Sequence, residues 1–164
     1  MTLIIVFILI SILLFLYFIL HDKLIFIEEK LNVIEDKIDS TLIKRNEILK
    51  DSENEIKELV KTSKSIYEDL KDVDSKKLDM FELDKKLTIY KNEFYLILDK
   101  YDVLKENDEF QKLAFSLSET SDLLESYRLY YNKYAEKYNK VIKSFPIVIT
   151  TVITRRKKKE FFDI

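Results

Sequence analysis

LIFIEEKLNVIEDKIDSTLIKRNEIL, residues 24–49, places an apolar residue at every third or fourth position: Leu24, Ile27, Leu31, Ile34, Ile38, Leu42 and Leu49. That spacing lines one face of a helix, and charged residues fill the other positions. The stripe continues through Ile56, Leu59, Ile66 and Leu70, and no residue between His21 and Asp72 is a helix breaker. The pattern predicts a first helix of about 50 residues, some 75 Å long. Arg45 falls on the stripe, where its stem can cover apolar neighbours while its head seeks a partner.

Upstream of this stretch, residues 2–20 read TLIIVFILISILLFLYFIL, with only Thr2 and Ser11 polar. Nineteen helical residues span roughly 28 Å, close to the roughly 30 Å of a bilayer core. A cleaved signal peptide would begin with basic residues and end on small ones. This run has no preceding Lys or Arg and ends Phe18-Ile19-Leu20-His21-Asp22-Lys23. It reads as an uncleaved single-pass anchor over residues 1–21. Lys23, Lys30 and Lys37 follow it and no cation precedes it, so the positive-inside rule puts the N-terminus out and the body in the cytoplasm.

Downstream, Asp72-Val73-Asp74-Ser75 punctuates the chain, and Asp74 or Ser75 offers a cap for a second helix striped by Leu78, Phe81, Leu87, Tyr90, Phe94, Leu98 and Tyr101. Asn107 offers a cap for a third, with Asp108 and Glu109 in its first turn. Its stripe is Phe110, Leu113, Leu117, Leu124, Tyr127, Tyr131, Tyr134, Tyr138 and Ile142, and Pro146 ends it. Residues 147–154 form a β-branched run, read as a short terminal helix. The expectation is an all-α chain: a transmembrane helix followed by an antiparallel up-and-down bundle over residues 22–154 with three long helices and one short one, then a basic and aromatic tail over 155–164.

Composition excludes much chemistry. The 164 residues include no Gly, no Cys, no Trp, one Pro and one His, His21. Phosphate-cradling loops need Gly, thiolate metal sites need Cys, and a His-based triad or two-His metal site cannot be built from one His. Acid pairs such as Glu28-Glu29 and Glu35-Asp36 read as solvated faces. The expectation is no enzyme, no catalytic or metal-binding residue, no cofactor and no small-molecule substrate. All 28 Lys and Arg and all 30 Asp and Glu lie after residue 20, and the net charge of −2 gives no reason to expect nucleic acid as a partner.

Five Tyr crowd residues 127–138. Tyr127, Tyr130, Tyr131, Tyr134 and Tyr138 fall within an arc of about 100° on a helix, with Arg128, Asn132 and Asn139 on the adjacent strip. The pair Tyr131-Asn132 recurs one heptad later as Tyr138-Asn139. Packing of Tyr as core, with Asn setting register, is one reading. A groove for a peptide or a partner protein is the other.

This region resembles the LemA family. The residues that carry the likeness are Tyr101-Asp102-Val103-Leu104-Lys105-Glu106-Asn107-Asp108-Glu109-Phe110-Gln111-Lys112-Leu113, then Leu117, Glu119, Thr120, Arg128, Tyr130, Tyr131-Asn132, Tyr138-Asn139, Ile142 and Ser144-Phe145-Pro146, with Phe161-Phe162 at the end. Arg45-Asn46 looks like the remnant of the family's basic, Asn-containing motif in the first helix. The Pro usual in that helix is missing, and Asp102 stands where a second Pro is usual. The resemblance implies a helical bundle on a single-pass anchor, in bacteria, and implies no established activity or catalytic residue. It makes Arg45, Asn46, Tyr101, Asn107, Phe110, Arg128, Tyr131, Asn132, Tyr138, Asn139, Phe145 and Pro146 the candidate interaction or structural motif.

Arg155, Arg156, Lys157, Lys158 and Lys159, followed by Phe161 and Phe162, form the densest cationic run and are candidates for contact with an anionic leaflet. The functional expectation is a membrane-anchored, non-catalytic helical scaffold of the bacterial envelope that binds another protein. The alternative is a regulatory adaptor for a membrane protease or sensor kinase.

Overall fold

The computed structural model describes residues 1–61, 66–67, 70, 73 and 78–163. Among these residues five helices succeed one another: α1 Thr2–Leu59, α2 Met80–Lys100, α3 Asp102–Lys105, α4 Asp108–Val141 and α5 Ile147–Ile153. No strand occurs among the described residues, and the fold is all-α.

Two heptad series explain the long helices. Along α1, Leu24, Leu31, Ile38, Arg45 and Ser52 recur every seventh residue and are all buried, flanked by Ile27, Ile34, Leu42, Leu49 and Ile56. Along α4 the same period gives Phe110, Leu117, Leu124, Tyr131 and Tyr138. Burial on α1 begins at Leu24, while the large apolar side chains before it are exposed. An 18-residue window there has a mean hydropathy of 3.3 and no buried residue, which is long and apolar enough to cross a membrane.

α1 is shorter than the stripe predicted. It ends at Leu59, and Lys61 takes a left-handed φ of 55°, a conformation that cannot continue a right-handed helix. Ile66 and Leu70 therefore leave the stripe for the connection. α2 begins at Met80, where Asp79 Oδ1 accepts hydrogen bonds from the Phe81 and Glu82 N–H groups, both at 2.9 Å. Asp74 and Ser75, the caps expected from the sequence, lie outside the described residues. α4 is capped as expected, with the Phe110 N–H donating to Asn107 Oδ1 at 2.8 Å. The single turn of α3 was not expected. Lys105 Nζ closes it by donating to Asp102 at 3.0 Å and to the Asp99 carbonyl at 2.9 Å. The run after Pro146 is helical, as expected, and the Phe145–Pro146 bond before it is cis.

The chain forms two compact units, Asp36–Tyr127 and Met1–Glu35 with Arg128–Ile164. α1 and α4 each contribute to both.

In the unit Asp36–Tyr127, Lys37 lies over the Tyr127 ring and Lys44 pairs with Glu119, so α1 and α4 run antiparallel. Phe94 stacks on Phe110 at 5.1 Å, while Asp84 and Thr120 share Arg45 as a neighbour, so α2 and α4 are antiparallel too. α1 and α2 consequently point the same way, where strict alternation was expected. Tyr67, between the two helices in sequence, meets Ser52 of α1 at 3.1 Å between hydroxyls.

In the other unit, Arg156 and Lys159 meet Glu28 and Glu35 of α1 while Lys159 and Phe162 meet Asn139 and Asn132 of α4, which again places α1 and α4 antiparallel. α5 buries Ile147 and Thr151, and the tail buries Phe162.

Candidate interaction sites

Arg45 occupies a heptad position that Leu24, Leu31 and Ile38 fill elsewhere on α1, and its side chain is only 1% exposed. Nη1 lies 4.0 Å from Asp84 Oδ1 on α2. Nε donates to Thr120 Oγ1 at 3.4 Å and Nη2 to Ser121 Oγ at 3.1 Å, both on α4. The two hydroxyls pass their own protons to the Leu117 carbonyl, at 2.7 and 3.0 Å, which leaves their lone pairs for the guanidinium. One planar cation thus fixes the register of three helices. Asn46 beside it is buried, and its Oδ1 accepts no hydrogen bond among the described residues. A buried ion pair of this kind need not add net stability, because desolvating both charges offsets their attraction.

One turn and more along the same helix, Glu53 is buried with Lys57 Nζ at 2.6 Å, and its Oε1 accepts from the Ile66 N–H at 3.4 Å. Tyr67 packs edge-on against Tyr90, 5.9 Å between ring centroids. Burial pushes the Tyr67 hydroxyl above its usual pKa. An open groove of about 430 Å³ lies between α1 and α4, lined by Asp51, Asn54, Glu55, Glu109, Lys112 and Ser116. No group of three potential metal ligands occurs among the described residues.

The second constellation is built on the repeated Tyr-Asn pair. Asn139 Oδ1 accepts from the Lys159 N–H at 2.9 Å, and its Nδ2 donates to the Lys159 carbonyl at 2.8 Å. Asn132 does the same to Phe162, at 2.8 and 2.9 Å. Each amide satisfies both main-chain groups of one tail residue, as a neighbouring β-strand would. Seven residues of α4 advance about 10.5 Å, and three residues of extended chain advance about 9–10 Å, so the repeat matches the tail. α1 keeps the same register: Glu28 pairs with Arg156 at 3.3 Å and Glu35 with Lys159 at 2.7 Å, again seven residues against three. The Phe162 ring meets the buried Tyr131 ring edge-on at 5.2 Å.

The model of the LemA family matches residues 34–164, which include the Arg45 cluster, the Asn132 and Asn139 pair and the tail. The chain belongs to the LemA family. No curated protein and no solved structure matches it.

The residues by which the LemA resemblance was read fall in both units. Arg45 and Asn46 sit in the buried cluster. Tyr101 is the hinge between α2 and α3, Asn107 caps α4, and Phe110 is stacked core. In the other unit, Tyr131 and Tyr138 are buried, Asn132 and Asn139 hold the tail, and Arg128 is half-buried. Phe145 is exposed and Pro146 precedes α5. The Tyr face divides: Tyr131 and Tyr138 point inward, while Tyr130 and Tyr134 form an outer pair, 4.8 Å between rings.

The tail divides likewise. Arg156, Lys159 and Phe162 turn onto the protein, whereas Arg155, Lys157, Lys158 and Phe161 are exposed. Residues facing inward at every third position give an extended segment two distinct sides. Sequence reading missed Asp84 and Ser121, partners of Arg45, and treated Glu28 and Glu35 as solvated. Their shared heptad position, opposite a cationic tail, was the available signal.

Proposed function

We propose that this LemA-family chain is a membrane-anchored, non-catalytic helical scaffold of the bacterial envelope that engages another protein. Residues 2–20 lie in the bilayer and the body stands on the cytoplasmic face. The observation that carries this reading is the wholly unburied apolar start of α1, which continues without a break into the buried heptads. An apolar surface of that extent in water needs cover, and its length fits a bilayer. Lys23, Lys30 and Lys37 supply the orientation.

Alkaline carbonate extraction tests the anchor. The full chain stays with the membrane pellet, and a variant lacking residues 2–20 does not. A full chain recovered in the supernatant overturns the reading. Protease added outside intact cells leaves residues 155–159 uncut, and cleavage there reverses the orientation.

The unbroken α1 also favours a second reading, an adaptor that relays the position of the anchor to a membrane protease or sensor kinase. Two residues inserted after Lys30 rotate the remainder of the helix by about 200° relative to the anchor. Under this reading the insertion abolishes control of the protease or kinase, whereas simple tethering survives it.

A further inference from the structure

Arg156, held by Glu28, fixes where α5 and the tail sit along α1. Glu28 is eight residues beyond Leu20, about 12 Å along the helix. At the other end of α5, α4 arrives at the same level, because Tyr138 feels both Glu28 and Arg156 and α4 ends three residues later. α5 is thus confined to the part of this unit that adjoins the apolar run.

What α5 shows there is unusual for a surface. It buries Ile147 and Thr151 and turns Ile149, Val152 and Ile153 outward, the last two more than 70% exposed. Phe145 before it and Phe161 after it are also exposed, as are Ile25 and Phe26 on α1. Arg155, Lys157 and Lys158 stand beside these residues, exposed. The inward-turned cations of the tail have carboxylate partners in Glu28 and Glu35. An apolar face flanked by cations is the composition of an element that lies in a membrane interface.

We propose that Ile149, Val152, Ile153 and Phe161, with Arg155, Lys157 and Lys158, form a membrane-facing surface that rests on the anionic leaflet from which α1 emerges. Position determines the occupant. If residues 2–20 span the bilayer, headgroups extend about 5–7 Å beyond the hydrocarbon, and the surface lies within one Debye length of them. The two-sided tail then joins body and lipid: Arg156, Lys159 and Phe162 bind the protein, and the alternate residues bind the leaflet. This rests on the anchor reading and specifies the lipid it contacts.

The chain has no Trp, so one introduced Trp is an unambiguous reporter. Full-length Ile153→Trp, Leu129→Trp and Phe15→Trp are each placed in nanodiscs containing brominated lipid, either zwitterionic or with an added anionic component. All three positions are exposed, so each Trp is accommodated without disturbing the core. In anionic discs, Phe15→Trp and Ile153→Trp are quenched and shifted to shorter wavelength, while Leu129→Trp, about nine residues of α1 beyond Glu28 by the register of Tyr131 with Glu35, is not. Replacing Arg155, Lys157 and Lys158 together by Gln returns Ile153→Trp to its value in zwitterionic discs and leaves Phe15→Trp unchanged. Each cation at the surface carries about a fivefold preference for the anionic leaflet, so the triple change is large.

Quenching of Phe15→Trp without Ile153→Trp overturns the surface and spares the anchor. Loss of quenching at Phe15→Trp overturns both. Equal quenching of Leu129→Trp, or no response to the Gln substitutions, also overturns the proposal.

Discussion

Asn139 pairs through its side-chain amide with both main-chain groups of Lys159, 2.9 Å for the accepted bond and 2.8 Å for the donated one. Lys159 meanwhile sends its ammonium to Glu35 at 2.7 Å. One tail residue is therefore read twice, its main chain by α4 and its charge by α1. Asn132 repeats the main-chain contact at Phe162. This division of labour makes the tail part of its unit although it has no secondary structure of its own.

Removing one amide should loosen the tail without disturbing the helices. A net hydrogen bond is worth about 0.5–1.5 kcal/mol, so Asn139→Ala costs about 1–3 kcal/mol of tail docking. Amide hydrogen exchange at Lys159 and Phe162 accelerates about tenfold or more, with helical circular dichroism unchanged. Asn132→Asp does at least as much harm as Asn132→Ala, because its second oxygen faces the Phe162 carbonyl where the amide donated. Unaltered exchange in both variants would mean that the amides do not hold the tail.

The Arg45 cluster predicts a non-additive pair of substitutions. Arg45→Leu removes the guanidinium that lies 4.0 Å from the Asp84 carboxylate, 6% exposed, a loss of about 3–5 kcal/mol. Asp84→Leu alone takes the carboxylate from the guanidinium, which keeps its hydroxyl acceptors on Thr120 and Ser121, and is also costly. The double variant removes both charges and recovers most of the stability, since apolar replacements of a buried pair are often neutral or stabilising. Urea denaturation followed by circular dichroism measures the cycle, and simple additivity would show that the two residues do not act as a pair.

How far the sequence led can be judged from these same residues. The stripes through Leu24 to Ile56 and Phe110 to Tyr138 were legible because a heptad is a local pattern, and so was the Asn107 cap, whose partner lies three residues away. The position of Arg45 on the stripe was visible, but Asp84 and Ser121 were not, because their pairing is set by the relative direction of α2 and α4. That direction turns on where α1 ends. The left-handed Lys61 ends it at a place no Gly or Pro marks. The Tyr-Asn repeat was seen as a repeat. Its ligand was not, since a match between seven helical residues and three extended ones emerges only when both segments are laid together.

Tyrosine ionisation gives a prediction for alkaline solution. Burial raises the Tyr67 and Tyr131 hydroxyls above the usual 10.0 and does so for Tyr138 as well. A group whose folded pKa is raised keeps its proton more tightly in the folded state. Its stabilising contribution is complete below the unfolded value and falls as pH rises from there toward the folded one. The folded chain therefore loses stability above about pH 10. In a near-ultraviolet titration, these three ionise with unfolding. Tyr67→Phe and Tyr131→Phe each delete one late-titrating group. Simultaneous titration of all tyrosines with the fold intact would contradict the burial argument.

A chain without glycine must use other residues where the backbone turns left-handed, and Lys61 and Arg155 do so at φ of 55° and 52°. Arg155 follows α5, where the Arg156 N–H reaches back to the Thr151 carbonyl at 3.1 Å, closing the helix in the manner usually entrusted to glycine. The left-handed conformation costs an L-residue roughly 1–2 kcal/mol, and Gly avoids this at the expense of greater unfolded-state entropy. Arg155→Gly should consequently gain about 0.5–1 kcal/mol, whereas Arg155→Val, branched at Cβ, should lose at least as much. The effect concentrates where the turn sets the tail's course. Exchange at Lys159 and Phe162 slows in Arg155→Gly and quickens in Arg155→Val. An opposite order would indicate that the Arg155 side chain, and not its backbone angle, governs how the tail is laid against Asn139 and Asn132.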